Sequence, residues 1–241
     1  MKSKYKRVIV KFSGEILRDA DTGEVLSMPV LMSLCNEIKA IHDDGVSLGV
    51  VIGGGNIFRG VAGNNKFGYD RVVGDHIGML ATIINAMAVA DVLRKNNVPV
   101  SVFSSMPMPN ICDTYFPRHV NAAMDSGNVV ILSGGTGSAF FSTDSAAALR
   151  ANELHADVVV KATKVDGVYD KDPKIFHDAV KYSKLTFSDV LIRRLHVMDS
   201  TAFSLCMDND IPIIVVGADN DLSNISRVLS GDPVGTVISN E

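Results

Sequence analysis

Short runs of apolar, largely β-branched residues recur along the chain, and longer stretches between them return apolar positions every three or four residues. The runs at 7–12, 47–52, 98–103, 128–133, 157–161 and 211–216 read as strands buried on both faces. Between them, residues 29–44 set Leu31, Leu34, Ile38 and Ile41 on one helical face. Residues 74–95 continue the same period, and 143–154 form a third amphipathic segment. This alternation predicts an α/β fold, a three-layer αβα sandwich with a mostly parallel central sheet. Ligands of such sheets bind at the carboxyl ends of the strands. Those ends hold Lys11, Gly53 to Asn56, Gly134 to Gly137 and Lys161 to Lys164. With no Pro/Ser-rich linker, charge block or internal repeat, one domain is expected over 1–241, with a soft functional seam at 133–156. The Gly- and Asn-rich segment 62–67 is expected to be a mobile surface loop.

The first two strand ends describe a phosphate site. Lys11-Phe12-Ser13-Gly14 and Gly53-Gly54-Gly55-Asn56 are turns whose small residues let backbone N–H groups approach an anion, and Lys11 adds a fixed cation. Neither turn is a Walker A loop, because the lysine precedes the glycine and lies within the strand. A dinucleotide fingerprint also fails, since Phe58 stands where the third glycine would be needed.

Composition narrows the partners. The chain has 241 residues, 46% of them hydrophobic and 21% charged, which excludes intrinsic disorder. A net charge of −4, mixed along the sequence, argues against general affinity for nucleic acid or an anionic membrane. An anionic ligand must therefore be met by local groups. Cys35, Cys112 and Cys206 are scattered and odd in number, so neither a disulfide framework nor a zinc site is indicated, and a reducing cytoplasm is expected. The basic N-terminus runs into a short strand rather than a signal or membrane span.

Chemistry-bearing residues gather at the remaining strand ends. Arg59, one turn past the glycines, can reach back to a cradled phosphate with its guanidinium. Asp75 reads as a helix cap or a ribose-hydroxyl partner, and His76 as a general base or a structural histidine. The run from Ser133 to Asp144 is a glycine turn with hydroxyls at Thr136, Ser138, Ser142 and Thr143, ending in an acid at a helix start. One of Ser142, Thr143 and Asp144 is expected to cap the helix, and Asp144 can orient a cation or a lysine between two phosphates. Asp166-Gly167 signals a hairpin, which leaves Lys161 and Thr163 at the sheet edge. Two lysines converging from separate strands suit in-line phosphoryl transfer, in which negative charge spreads over the moving group. The chain has no dense carboxylate cluster, so Mg²⁺ is expected to arrive with the nucleotide.

Lys11 to Glu15, Val51 to Gly60, Arg71 to Thr82, Gly135 to Ala147 and Lys161 to Tyr169 together resemble, in order and nearly without gaps, bacterial uridylate kinases of the amino acid kinase fold, over about residues 5 to 238. The resemblance implies that Lys11, Phe12, Ser13 and Gly14 meet the ATP phosphates, that Gly54 contacts UMP, and that Gly55 and Arg59 lie at the phosphate junction. It implies that Asp75 holds the UMP ribose, and that Thr136, Gly137, Ser138, Ala139, Phe140, Phe141, Ser142 and Thr143 enclose UMP. Asp144 and Lys161 are then near the transferred phosphoryl, and Thr163, Tyr169 and Asp172 bind ATP. A UMP-binding part at about 1–140 and an ATP-binding part at about 141–241 follow. Asp199 matches a further family motif and reads equally well as a helix cap. Also implied are a cytoplasmic homohexamer in pyrimidine biosynthesis and inhibition by UTP. Many members respond to GTP, but residues 17–28 lack the glycine-rich stretch of familiar members. The rival readings are a kinase of a small carboxylate or carbamate, and a nucleotide-binding regulator without turnover.

Overall fold

The six long apolar runs fold as β1 (Arg7–Phe12), β2 (Ser47–Ile52), β3 (Val100–Ser104), β5 (Val129–Ser133), β6 (Val158–Thr163) and β10 (Ile213–Gly217). Five shorter strands accompany them: β4 (Asp113–Thr114), β7 (Val168–Tyr169), β8 (Lys181–Tyr182), β9 (Lys184–Thr186) and β11 (Thr236–Ser239). The helices are α1 (Met28–Asp43), α2 (Arg71–Lys95), α3 (Pro117–Asp125), α4 (Thr143–Glu153), α5 (Phe187–Ile192), α6 (Ser200–Asp208) and α7 (Asn224–Ser230). This computed structural model describes residues 2–58, 68–195, 197–219 and 221–241; Arg59 and the segment 62–67 lie outside them.

Among the described residues, nine strands make one sheet in the order β4-β3-β5-β2-β1-β6-β10-β11-β9. Its pairings are parallel except β10 with β11. β1 sits at the reversal of chain order, with the strands up to β5 on one side and the later ones on the other. Alternation along β1 divides the core into two. Val8, Val10 and Phe12 pack with α1, α2 and α7, whereas Ile9 packs with the side chains of α3, α4, α5 and α6. The result is the three-layer αβα arrangement expected from the sequence.

Two local expectations differ. The second helix begins at Arg71 rather than at 74, because Asp70 accepts from Val72 N at 2.9 Å and caps it. Asp75 therefore lies inside the helix and is not its cap. Asp166-Gly167 does not close a tight hairpin either. Asp166 accepts from the Tyr169 hydroxyl at 2.6 Å and from Lys181 at 3.0 Å, and β7 finds its antiparallel partner β8 beyond the intervening segment 170–180.

On the α5–α6 side, the buried Phe187 ring meets Phe203 edge-on at 4.9 Å. Phe187→Ala is expected to lower the unfolding free energy by about 3 kcal/mol in urea titration. Ile192→Ala on the same short helix, where the side chain is 80% exposed, is expected to change it by less than about 0.5 kcal/mol.

Candidate active site

Lys11 and Lys161 are direct partners in the parallel ladder between β1 and β6. Side chains so paired leave the sheet on the same face, here the face covered by α4. The first turn of α4 brings Asp144 between them. Lys11 Nζ lies 2.7 Å from Asp144 Oδ1, Lys161 Nζ donates to Oδ2 at 2.7 Å, and Lys161 also donates to the Val197 carbonyl at 2.5 Å. All three side chains are largely buried. Burial alone would raise the Asp144 carboxyl, but the two ammonium groups outweigh it and hold its pKa below the ordinary carboxylate value.

The N-terminus of α4 is fixed twice over. Ser142 is the cap, accepting from the N–H groups of Asp144 at 2.9 Å and Ser145 at 3.2 Å. Asp199 caps α6 by accepting from Ala202 N, and also accepts from the hydroxyls of Ser142 and Ser145. The cap reading of Asp199 holds, and its second task of tying α6 to the helix that carries Asp144 was not legible in the sequence.

The two glycine turns lock together at the ends of β1 and β2. A Cβ at Gly14 would fall 2.2 Å from the Gly53 carbonyl, so only glycine permits this approach. Gly53 N in turn donates to the Phe12 carbonyl at 3.0 Å. Asn85, fully buried on α2, donates to the Gly53 carbonyl at 2.7 Å and to Asn56 Oδ1 at 2.7 Å, and Asn56 reaches the Val25 carbonyl at 2.9 Å. Asn85 escaped the sequence reading, although an asparagine among Ile83, Ile84 and Ala86 is a polar interruption of a core-facing helix.

Two cavities adjoin the lysine–aspartate cluster, one at Lys161 and one at Thr143, next to Asp144. The larger, of about 510 Å³, is lined by Lys161, Thr163, Tyr169 and Asp172 together with Lys174 and Arg193. That volume lies in the range of small-molecule and cofactor sites. Tyr169 is tied back by its hydrogen bond to Asp166, which together with partial burial pushes its hydroxyl up to about 12. Asp172 accepts from Lys174 N at 2.9 Å. The smaller cavity is lined by Gly54, Phe58, Asp75, Thr82, Phe141, Ser142 and Thr143, among others. Asp75 is not free there: Arg71 Nε donates to both its oxygens, at 3.0 and 2.9 Å, and Phe140 N donates to Oδ2 at 2.7 Å. Thr136, Gly137, Ser138, Ala139 and Phe140 line neither cavity and form the turn beside the smaller one, where the Thr136 hydroxyl closes on the Ser138 backbone. Lys11, Phe12, Ser13, Gly14 and Gly55 line neither cavity, and the exposed His76 faces neither.

The structure thus brings together Lys11, Asp144 and Lys161, gathers Thr163, Tyr169 and Asp172 with Lys161 around one cavity, and gathers Gly54, Asp75, Phe141, Ser142 and Thr143 around another. Chemically, one ligand space includes a member of the cation pair, Lys161, and a second reaches Thr143, next to the aspartate that joins the pair. A basic, partly water-excluded junction of that kind stabilises negative charge shared between two anions.

Comparison with known proteins points the same way. The amino acid kinase family model matches residues 6–217. A crystal structure of UMP kinase from Bacillus anthracis superposes with a TM-score of 0.94 at 37% identity, covering 98% of this chain and 97% of that one. UMP kinase from Ureaplasma parvum gives 0.92 at 34% identity, over 99% of this chain and 100% of that one. Uridylate kinase from Archaeoglobus fulgidus gives 0.71 at 26% identity, over 96% and 99%.

Asp144→Asn leaves two nearly buried lysines facing each other without a counter-charge. It is expected to cost roughly 1 to 3 kcal/mol of stability at pH 7. The native carboxyl titrates below its unfolded value, so its contribution is complete above that value and lost as pH falls through the lowered one. The stability gap between wild type and Asp144→Asn, followed by thermal unfolding, is expected to hold from pH 8 to about 5 and to close below about 4.

Proposed function

The chain belongs to the amino acid kinase family, and within it we propose that the protein transfers the γ-phosphoryl group of ATP to UMP, giving ADP and UDP. The observation that carries this reading is the Lys11–Asp144–Lys161 cluster, with one ligand space reaching Lys161 and a second reaching Thr143 beside Asp144. ATP occupies the larger space, with its base and ribose along Thr163, Tyr169 and Asp172 and its phosphates turned toward Lys11 and Lys161. UMP occupies the smaller, with its ribose at Asp75 and its base within the turn from Thr136 to Thr143. The N-terminal part, about 1–140, accordingly supplies most of the acceptor side, and the part from about 141 the donor side.

In the reaction an oxygen of the UMP phosphate attacks the γ-phosphorus in line as the bond to the β–γ bridging oxygen breaks, and ADP leaves with that electron pair. The UMP phosphate is already anionic at neutral pH, so no side-chain nucleophile or strong base is needed. Lys11 and Lys161 hold the charge that spreads over the transferring group, Arg59 adds to it, and the backbone N–H groups of Gly14 and Gly55 cradle the phosphates. Asp144 orients both lysines. Its lowered pKa makes it a weak base and a permanent anion, which suits positioning rather than proton transfer. Among the described residues no group of three or more His, Cys, Asp or Glu forms a metal cage. An Mg²⁺ would be carried in on the ATP phosphates and keep mostly phosphate and water ligands. When bound, Mg²⁺ supplies neutralisation of the β- and γ-phosphate oxygens.

The same reading extends to assembly and setting. Val73, Leu80 and Ile84 form an exposed stripe at helical spacing on α2. The stripe supports packing of this face against a second copy within a homohexamer. A cytoplasmic enzyme of pyrimidine nucleotide biosynthesis, inhibited by UTP, completes the proposal.

ADP release from Mg·ATP, with UMP, CMP, AMP, aspartate, glutamate and carbamate each offered as acceptor, is expected to occur efficiently with UMP alone. Turnover with a carboxylate or carbamate instead would overturn the acceptor assignment, and tight UMP binding without turnover would favour a regulator. Lys11→Ala is expected to lower kcat by about 10² to 10³ in a folded protein, and near-normal turnover would remove Lys11 from the mechanism. By light scattering after gel filtration, Ile84→Glu is expected to give a smaller species than wild type, since a buried unpaired charge opposes association.

A further inference from the structure

Arg150 lies six residues after Asp144 on α4 and is only 4% exposed, in a helix whose other buried residues, Asp144 apart, are serine and alanine. A cation buried so deeply needs full compensation, and this one has it. Its guanidinium meets Glu153 Oε2 at 2.6 Å, donates to Ser105 Oγ at 2.7 Å and to the Gly135 carbonyl at 3.4 Å, and stacks 3.8 Å above the Tyr115 ring. The Tyr115 hydroxyl donates to the same Glu153 oxygen at 2.6 Å, and the Ser105 hydroxyl donates to the Gly135 carbonyl at 2.9 Å. Two donors thus converge on one carbonyl.

That carbonyl belongs to an unusual stretch of backbone. Gly134, Gly135 and Gly137 have φ of +73°, +60° and +84°, and Phe140 follows at +70°. Such a run has little conformational preference of its own and keeps one shape only when its surroundings hold it. From the opposite side, the Thr82 hydroxyl receives Gly134 N at 2.9 Å. The turn is clamped between α2 and the Arg150 cluster.

We propose that Arg150 is a positioning residue for the acceptor: through Ser105 and the Gly135 carbonyl it fixes the turn 134–137 relative to Asp144 on the same helix. The proposal rests on the reading of that turn as the wall of the UMP space. Because α4 carries Asp144 at its first turn and Arg150 two turns on, one rigid element sets both the phosphoryl junction and the acceptor wall. The planar fork and the aromatic stack are specific to arginine, and a lysine would supply charge without either.

The test is steady-state kinetics on the full chain, with UMP and ATP varied separately, for wild type, Arg150→Lys and Ser105→Ala. Arg150→Lys is expected to raise KM for UMP about tenfold while KM for ATP stays within about twofold. Ser105→Ala removes the hydroxyl relay but leaves the Arg150–Glu153–Tyr115 cluster in place. It is expected to raise KM for UMP about threefold with KM for ATP again unmoved, and it keeps the proposal open to refutation should Arg150→Lys fold poorly. Thermal unfolding is followed alongside. A fall in Tm with both KM values unchanged, or equal changes in both, would assign the cluster to stability alone and overturn the proposal. Absence of UMP turnover in the wild type would instead overturn the underlying assignment of function, and that result is read before any variant.

Discussion

The register between β1 and β6 is the constraint on which the site depends. Pairing Lys11 with Lys161 across a parallel ladder commits both ammonium groups to one face of the sheet, at its carboxyl edge. Two like charges held there without a partner would oppose folding, so the helix that covers this face begins with an aspartate that reaches both. The cluster keeps a net positive charge, and the positive end of the α4 dipole adds to the potential there. The electrostatics needed to accept phosphoryl charge are therefore built during folding, before any substrate arrives, and need no rearrangement when charge develops.

The surrounding polar contacts keep that geometry from relaxing. Asp199 ties α6 to the start of α4, so Asp144 cannot shift without breaking two serine hydrogen bonds. On the other side of the sheet's edge, the contact between Gly14 and Gly53 sets how closely the ends of β1 and β2 approach, and Asn85 fixes the second turn from below. Ser145 and Asn85 are buried with partners, which is the condition for polar groups in a core to specify one arrangement instead of destabilising it.

Long elements were legible in the sequence because burial on both faces leaves a continuous β-branched run, as in Val8 to Val10 and Val158 to Val160, and because α1 repeats its apolar face over four turns. The short strands were not. β4, β7 and β8 have two residues each, and they exist because a neighbouring strand offers a ladder, which no local pattern records. Lys11, Asp144 and Lys161 were readable as strand-end and helix-start residues, but their mutual distances come from register. Arg150 had no local signal, since its partners Ser105 and Tyr115 lie 45 and 35 residues upstream. Asp75 was misread as a helix start because Asp70, the real cap, stands ahead of an exposed first turn with no apolar period.

Helix α2 draws these strands of argument together. It is long and apolar enough to cross a membrane by composition, with 56% of its apolar window buried in protein. Its apolar sequence is broken by Asp75, Thr82 and Asn85, at intervals of seven and three residues, which is the spacing of one helical face. Each break holds a loop: Asp75 receives Phe140 N and Thr82 receives Gly134 N, both in the loop after β5, and Asn85 donates to the Gly53 carbonyl after β2. Two loops from separate strand ends, one after β5 and one after β2, are thus indexed to one rigid rod. A shorter helix would reach only some of them, and a uniformly apolar one would leave their backbone groups unpaired in the interior. The length of α2 and the places where its apolar pattern fails have the same cause, the need to hold both walls of the smaller cavity at a fixed distance from the lysine pair.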